Sequence, residues 1–126
     1  MEGKVEWTGG STLDGINSSG DRISMNWEEG PSPMQVVLQC VGACSLVDVV
    51  DGVKGREIRA AHVDLTSERA KEPPRVFTKI HMNYVVDSDA PEVLLRRLVE
   101  KSHEKYCSVS NMLIGTVEIT WELNVL

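Results

Sequence analysis

Three cysteines are the residues of this 126-residue chain that are best suited to nucleophilic or redox chemistry. Cys40 and Cys44 lie one helical turn apart in an apolar segment, and Cys107 follows in the segment Glu104–Asn111. There is no CxxC pair of the kind that zinc ribbons and thioredoxins use, and three cysteines do not form the disulfide framework of a secreted protein. A functional cysteine in a reducing compartment would therefore act as a nucleophile, in its thiolate form.

The neighbours of Cys107 give a physical reason for reactivity. Polar, cap-forming residues follow it, so that a short helix can begin at Ser108, and its unpaired N–H groups would stabilise a thiolate. Cys40 and Cys44, judged by residue type alone, are more simply small buried hydrophobic residues. His103 precedes Cys107 by four residues, but a zinc site would need two further ligands, and a solvated or capping histidine is the simpler interpretation.

Charge and hydropathy exclude several classes of protein. The net charge is −6, and no basic patch is available to bind a phosphate backbone. The longest apolar stretch, Val36–Val50, contains Gln39 and Asp48, and we expect it to be too short and too polar to cross a bilayer. No hydrophobic signal segment follows Met1, which favours a cytoplasmic location. The expected protein binds neither nucleic acid nor membrane.

The pattern of strands and helices predicts one α+β domain over residues 1–126. Ser32 and Pro33 are suited to the cap and first position of a helix. The predicted elements are three strands of a meander at Lys4–Thr8, Thr12–Asn17 and Arg22–Trp27, a helix at Met34–Val50, strands at Arg59–Ser67 and Val76–Val86, a helix opened by Asp89–Glu92, and a last strand at Val117–Val125.

Alternation and helical spacing also predict which side chains face the core. One face of the second long strand would carry Val76, Thr78, Ile80, Met82, Tyr84 and Val86. The second helix would turn inward Val93, Leu94, Leu95, Leu98 and Val99. The last strand would bury Val117, Ile119, Trp121, Leu123 and Val125. We expect the strands after the first helix to be antiparallel.

The helix at Met34–Val50 is apolar on nearly every face, so it must be enclosed by protein. Gly42 and Ala43 in its middle would let another backbone approach closely. A domain of this size has few elements with which to surround a helix of about 18–20 residues. The sequence therefore predicts an intimate homodimer.

Several segments, taken in order, resemble the osmotically inducible protein C / organic hydroperoxide resistance (OsmC/Ohr) family. The segment Gly30–Met34, continuing through Gly42–Cys44 to Asp48–Val50, is similar to the first-cysteine helix of that family. The segment Ser102–Asn111 is similar to its second-cysteine segment, in the OsmC-like branch that reads EKYCSVS. Glu68–Ala70 and Pro73–Ile80 are also similar to that branch, as is Val5–Trp7 followed by Gly9–Gly10.

The resemblance implies an OsmC-like fold, built as an intertwined homodimer with active sites at the subunit interface. It implies a thiol-dependent peroxidase of the antioxidant stress response that reduces a small organic hydroperoxide. By position Cys44 would be the peroxidatic cysteine that becomes a sulfenic acid, and Cys107 the resolving cysteine that forms a disulfide with it. An external dithiol reductant would restore the pair, without a bound cofactor or metal.

The chain departs from the family pattern beside the first cysteine. Characterised members activate that thiolate with an arginine from the N-terminal strands, held by a glutamate near the start of the cysteine helix. Here Thr12 stands where relatives often carry the arginine, and the glutamate region reads Met34-Gln35. Arg22 is the candidate substitute for the thiolate activator. The alternative is a non-catalytic or weakly active dimer of the same fold that senses redox state or binds a ligand.

Overall fold

The protein is described by a computed structural model that covers all residues, Met1–Leu126. Its backbone forms two compact units, Met1–Leu38 and Gln39–Leu126. The elements in chain order are β1 (Gly3–Gly9), β2 (Thr12–Asn17), β3 (Arg22–Asn26), α1 (Pro33–Gly52), β4 (Ile58–Arg69), β5 (Phe77–Ser88), α2 (Glu92–Lys101), a π-helical turn (Ser102–Tyr106), α3 (Ser108–Leu113) and β6 (Glu118–Val125). The mixed α+β content agrees with the sequence prediction.

The first unit contains the predicted antiparallel meander, in the order β1-β2-β3. Gly9 and Gly10, both with positive φ, make the turn between β1 and β2. Strand β3 ends at Asn26, one residue earlier than predicted. The Asn26 side chain accepts hydrogen bonds from the backbone N–H groups of Glu28 and Glu29, both at 3.0 Å, which turns the chain away from the sheet.

Helix α1 begins with a reciprocal cap. The Gln35 N–H donates to Ser32 Oγ at 3.2 Å, and the Ser32 N–H donates to Gln35 Oε1 at 2.8 Å. This capping box satisfies two donors that a helix start leaves unpaired, and Pro33 occupies the first turn as predicted.

The second unit contains a three-stranded sheet in the order β4-β5-β6. Strands β4 and β5 form the expected antiparallel hairpin, but β6 runs parallel to β5, so the prediction of only antiparallel strands was wrong. A parallel pair needs a long crossover connection, and the segment from α2 through α3 supplies it. The clean alternation of β6 is equally compatible with either direction, which is why the sequence did not reveal it.

Strand β5 is the centre of this core. Its residues Ile80, Met82, Tyr84 and Val86 are fully buried, as predicted. The prediction fails at the start of the strand, where Val76 is exposed and Phe77 is buried instead. The register shifts there, because Glu68 pairs with Lys79 whereas the next residue, Arg69, pairs with Phe77. The extra residue in β5 reverses which side chains face the core.

Two further predictions of core-facing side chains were wrong. In α2 the buried residues are Leu95 and Val99, whereas Val93 is exposed, since a residue two positions before Leu95 lies on the opposite side of a helix. In β6, Val117 and Leu123 are buried, but Val125 is exposed at the end of an edge strand.

Helix α1 is buried on one side only. Its buried residues are Val41, Gly42, Ser45 and Val49. Gly42 lies against the side chain of Leu65 rather than against a backbone, because a Cβ built on Gly42 would meet Leu65 Cδ1 at 2.9 Å, and Ala43 is exposed. A single chain therefore does not enclose the helix as its apolar composition requires.

The length of α1 corrects another expectation. The helix has 20 residues and is long and apolar enough to cross a membrane. Length and composition do not distinguish such a span from the core helix of a globular protein. The hydrogen bonds that Ser45 makes to Tyr84 and Ser102 favour the second interpretation.

Candidate functional site

The structure brings Cys44 and Cys107 together although they are far apart in the sequence. Cys44 is half-buried on α1, Cys107 is fully buried ahead of α3, and both are free thiols. Cys44 is a close enough neighbour of Cys107 to raise the pKa of the Cys107 thiol. Cys40, one turn earlier on α1, is exposed. Cys44 and Cys107 therefore form a thiol pair in which one member is reachable from solvent and the other is not.

The π-helical turn determines which side chains around Cys107 are buried. The Cys107 N–H donates to the carbonyl of Ser102 at 2.7 Å, a bond between residues five apart. Ser102, His103 and Cys107 are consequently all buried, whereas Glu104–Tyr106 are exposed. Single π turns of this kind occur frequently at functional sites.

Cys107 caps helix α3, as its polar neighbours predicted. Its Sγ accepts a hydrogen bond from the Ser110 N–H at 3.4 Å. That bond favours the thiolate, but burial acts against it and is the larger effect. Burial and the neighbouring Cys44 raise the pKa of the Cys107 thiol above its ordinary value. The helix start does favour the Cys107 thiolate, as the sequence predicted, but desolvation outweighs that hydrogen bond.

A chain of buried hydrogen bonds adjoins the two cysteines. Ser45 Oγ bonds to the Tyr84 hydroxyl at 2.5 Å and to Ser102 Oγ at 2.8 Å. Ser102 Oγ donates to Asp48 Oδ2 at 2.8 Å. The Tyr84 hydroxyl also bonds to His103 Nε2 at 2.7 Å. One polar side of α1, the middle of β5 and the π turn are thus connected through five side chains.

Burial favours the neutral forms of both Tyr84 and His103. It raises the pKa of the Tyr84 hydroxyl, against a smaller opposing effect of the Ser45 hydrogen bond. It lowers the pKa of His103, against the opposing charge of Asp48. His103 is only 8% exposed, and its Nδ1 has no hydrogen-bond partner in the chain. The interpretation of His103 as a solvated or capping residue was therefore wrong.

Aromatic contacts fix the Tyr84 ring. Trp121 approaches it edge-on with centroids 6.4 Å apart, and the His103 ring does so at 6.2 Å. Such edge-to-face pairs contribute about 0.5–1.5 kcal/mol beyond the area they bury. The Tyr84 hydroxyl is therefore held in one position between Ser45 and His103.

Arg22, the candidate thiolate activator, belongs to the first unit. Its guanidinium lies 3.1 Å from Asp14 and 3.6 Å from Glu6, and about half of its side chain is exposed. Asp14 also accepts a hydrogen bond from Ser24. Arg22, on β3, is thus held by one carboxylate from β1 and one from β2.

Sequence reasoning identified the two cysteines but missed the polar chain beside them. Ser45 and Asp48 did carry a signal, since they are polar residues three apart in a helix that is mostly apolar. Together with Val41 and Val49 they mark the side of α1 that faces the sheet. Nothing in the sequence pairs these residues with Tyr84 or with Ser102, because those contacts span 39 and 57 positions.

Comparison with known proteins agrees with this architecture. The model of the family described as OsmC-like protein matches residues 26–122. A curated relative, Protein YhfA of Escherichia coli K12, is 42% identical over 131 aligned residues, which cover 99% of this chain and 98% of that protein.

Solved structures extend the similarity. A hypothetical protein from Aquifex aeolicus has a TM-score of 0.85 and 30% identity, covering 99% of this chain and 96% of that one. An organic hydroperoxide resistance protein OsmC from Legionella pneumophila has a TM-score of 0.66 over 99% and 98% of the two chains. Its identity of 18% shows a shared fold only.

The lowered pKa of His103 predicts how stability depends on pH. Below the ordinary histidine value of 6.5 the unfolded chain takes up a proton at His103 that the native protein does not. The wild type should therefore lose stability relative to His103→Gln as the pH falls, by up to about 1.4 kcal/mol per pH unit until the native imidazole is protonated. Urea unfolding of both proteins between neutral and acidic pH measures this difference, and a constant difference would contradict burial of a neutral imidazole.

Proposed function

The chain belongs to the OsmC-like protein family, and we propose that it acts as a thiol-dependent peroxidase that reduces organic hydroperoxides. Members of this family are associated with redox chemistry and the response to peroxide stress. The observation that carries the proposal is the thiol pair, in which half-buried Cys44 lies against fully buried Cys107. Two neighbouring thiols whose sulfur atoms can meet cycle between a dithiol and a disulfide.

Accessibility supports different roles for the two cysteines. Cys44 can meet a dissolved hydroperoxide, and its thiolate would attack one peroxide oxygen. An S–O bond forms, the O–O bond breaks, and the alkoxide leaves as an alcohol after taking a proton. Cys107 then attacks the sulfur of the resulting sulfenic acid, so that an S–S bond forms and the oxygen departs as water. An external dithiol returns two electrons to reopen the disulfide.

Peroxide treatment tests these roles. After mild oxidation with cumene hydroperoxide, mass spectrometry should find a Cys44–Cys107 linkage with Cys40 still reduced. Cys44→Ser should abolish rapid thiol loss, and Cys107→Ser should accumulate a sulfenic acid that dimedone traps. Cys40→Ser is the matched control and should behave as the wild type. A dominant Cys40–Cys44 product would overturn the assignment.

The uncovered side of α1 supports a homodimer. Cys40, Ala43, Val47 and Val50 are exposed, and their spacing of three or four residues forms an apolar stripe along the helix. A groove of about 700 Å³ beside the stripe includes Ala43, Val47 and Val50 in its wall. Contiguous exposed apolar surface of this kind marks interaction sites, and a second copy of the chain would cover it.

Sedimentation measures the assembly. The wild type should have a mass near twice 13.9 kDa at micromolar concentration. Val47→Glu should yield a folded monomer, because it buries an unpaired charge only if the stripe is an interface. Val93→Glu places the same charge on an exposed valine of α2 and should leave the dimer intact. A wild-type monomer, or equal behaviour of the two variants, would contradict this interface.

Arg22 enters the proposal as the activator of Cys44. A guanidinium near the sulfur would favour the thiolate through charge and hydrogen bonding. Arg22→Met should then slow alkylation of Cys44 at neutral pH by about tenfold, because a rise of about one unit in the thiol pKa lowers the thiolate fraction by that factor. Lys4→Met is the control, since Lys4 is a neighbouring cation that pairs with Glu6 at 2.7 Å. Equal alkylation rates in the two variants would remove Arg22 from the site.

One observation favours the second candidate function, a redox-sensing or binding dimer without peroxidase turnover. The region in which relatives carry the glutamate that holds the activating arginine reads Met34-Gln35 here, and the Gln35 side chain is engaged in capping α1 through Ser32. The rate of thiol loss in a slight excess of cumene hydroperoxide separates the two functions. Rapid loss with repeated turnover supports the peroxidase, and slow stoichiometric loss supports the sensor.

A further inference from the structure

Ser102 joins the two segments that carry the cysteines of the thiol pair. Its Oγ donates to Asp48 Oδ2 at 2.8 Å and bonds to Ser45 Oγ at 2.8 Å, and both partners lie on α1. Its carbonyl oxygen accepts the Cys107 N–H at 2.7 Å. Ser102 is fully buried, so that solvent does not compete for these bonds. One residue therefore binds both the helix of Cys44 and the peptide of Cys107.

The partners of Ser102 on α1 lie beside Cys44. Ser45 directly follows Cys44, and Asp48 lies one helical turn after it, on the same side of the helix. Ser102 itself lies one turn before Cys107, because the π turn spaces the two residues by five. The hydrogen bond between Ser102 and Asp48 is therefore one turn away from the cysteine of each segment.

The extra residue of the π turn determines which side chain follows Ser102 on its buried side. In a regular α-helix the residue one turn after Ser102 would be Tyr106. Here the Cys107 N–H bonds to the Ser102 carbonyl instead, Cys107 is fully buried, and Tyr106 is exposed. The Asn111 side chain donates to the Cys107 carbonyl at 2.8 Å. The Cys107 backbone is thus held at both its N–H and its carbonyl group, and Ser102 connects it to α1.

We propose that Ser102 is a positioning residue, whose hydrogen bond to Asp48 holds the Cys107 segment against α1 in the dithiol and so favours the disulfide with Cys44. The inference rests on the proposed dithiol chemistry but not on the identity of the oxidant. In the disulfide a covalent bond holds the two sulfur atoms together, whether or not Ser102 binds α1. In the dithiol only noncovalent contacts hold them. Loss of the Ser102 hydroxyl therefore frees the dithiol more than the disulfide, and it shifts the equilibrium towards the dithiol.

Equilibration with glutathione measures this effect in Cys40→Ser protein. The dithiol of Cys44 and Cys107 gives two electrons and two protons to oxidised glutathione, which becomes two molecules of reduced glutathione. Ser102→Ala should lower the equilibrium constant for the disulfide by about tenfold, the factor that one hydrogen bond to a charged group supplies. This change raises the reduction potential of the pair by about 30 mV. Mass spectrometry after an acid quench counts the two forms.

Ser88→Ala is the matched control. The Ser88 hydroxyl is also buried and makes two hydrogen bonds, donating to the Glu57 carbonyl at 2.8 Å and accepting from the Ala90 N–H at 3.1 Å. Neither bond involves α1 or the π turn. Both alanine variants should unfold at a lower urea concentration, but Ser88→Ala should keep the equilibrium constant of the parent protein. An equal constant in Ser88→Ala and Ser102→Ala would overturn the proposal, since a purely structural serine stabilises dithiol and disulfide alike.

Variants of Asp48 test the same hydrogen bond from the other side, at a half-buried position where a folded protein is easier to retain. Asp48→Ala should lower the equilibrium constant, and combining it with Ser102→Ala should lower it no further than Ser102→Ala alone, because both changes remove one bond. Asp48→Asn keeps an oxygen that accepts from Ser102 and should retain a value close to that of the parent protein. Additive losses, or equal losses in Asp48→Asn and Asp48→Ala, would overturn the proposal.

The glutathione equilibrium also separates this inference from the proposed peroxidase function. If Cys40→Ser protein forms no Cys44–Cys107 disulfide with glutathione, the dithiol chemistry and the role of Ser102 are both overturned. If that disulfide forms but hydroperoxides produce no sulfenic acid, the peroxidase proposal fails, and the equilibrium constants still decide the role of Ser102. Rapid peroxide turnover together with an unchanged constant in Ser102→Ala would overturn the positioning role alone.

Discussion

The need to pair the buried hydroxyl groups is the constraint on which this site depends. A buried hydroxyl left without a partner costs about 1–3 kcal/mol, and Ser45, Ser102 and Tyr84 are all fully buried. They can be buried only because each is bonded to the next and the last is bonded to Asp48. These hydrogen bonds can all form only where α1, β5 and the π turn meet. That requirement brings Cys44 and Cys107 together.

The two sides of helix α1 have different surroundings. Towards the sheet it contributes Ser45 and Asp48 to the polar chain and Val41 and Val49 to the core. Its other side carries the uncovered apolar stripe of Cys40, Ala43, Val47 and Val50. A helix with this division must be apolar nearly all round, and its composition then resembles that of a membrane span. The buried hydroxyl, and not the overall hydropathy, identifies it as part of a folded core.

Local chemistry made much of the fold predictable. The meander follows from strand alternation and turn glycines, the start of α1 from the Ser32 cap, and the start of α3 from the polar residues after Cys107. The parallel direction of β6, the bulge at Thr78 and the π turn were not predictable, because each is decided by pairing with a distant segment. Family resemblance identified the thiol pair, since residues alone left both cysteines of α1 as ordinary core positions.

The sequence predicted the two cysteines of the site but not the raised pKa of Cys107, because two opposing effects act on that thiol. Its position before α3 argues for an acidic thiol, and the Ser110 N–H does bond to its sulfur. Sequence shows that attraction but not the degree of burial, which opposes it and is larger. In the resolving role proposed for Cys107, burial would keep the thiol protonated and shield it from direct attack by an oxidant. The same burial opposes the thiolate that an attack on Cys44 would require, so the Cys107 thiol would have to lose its proton as the disulfide closes.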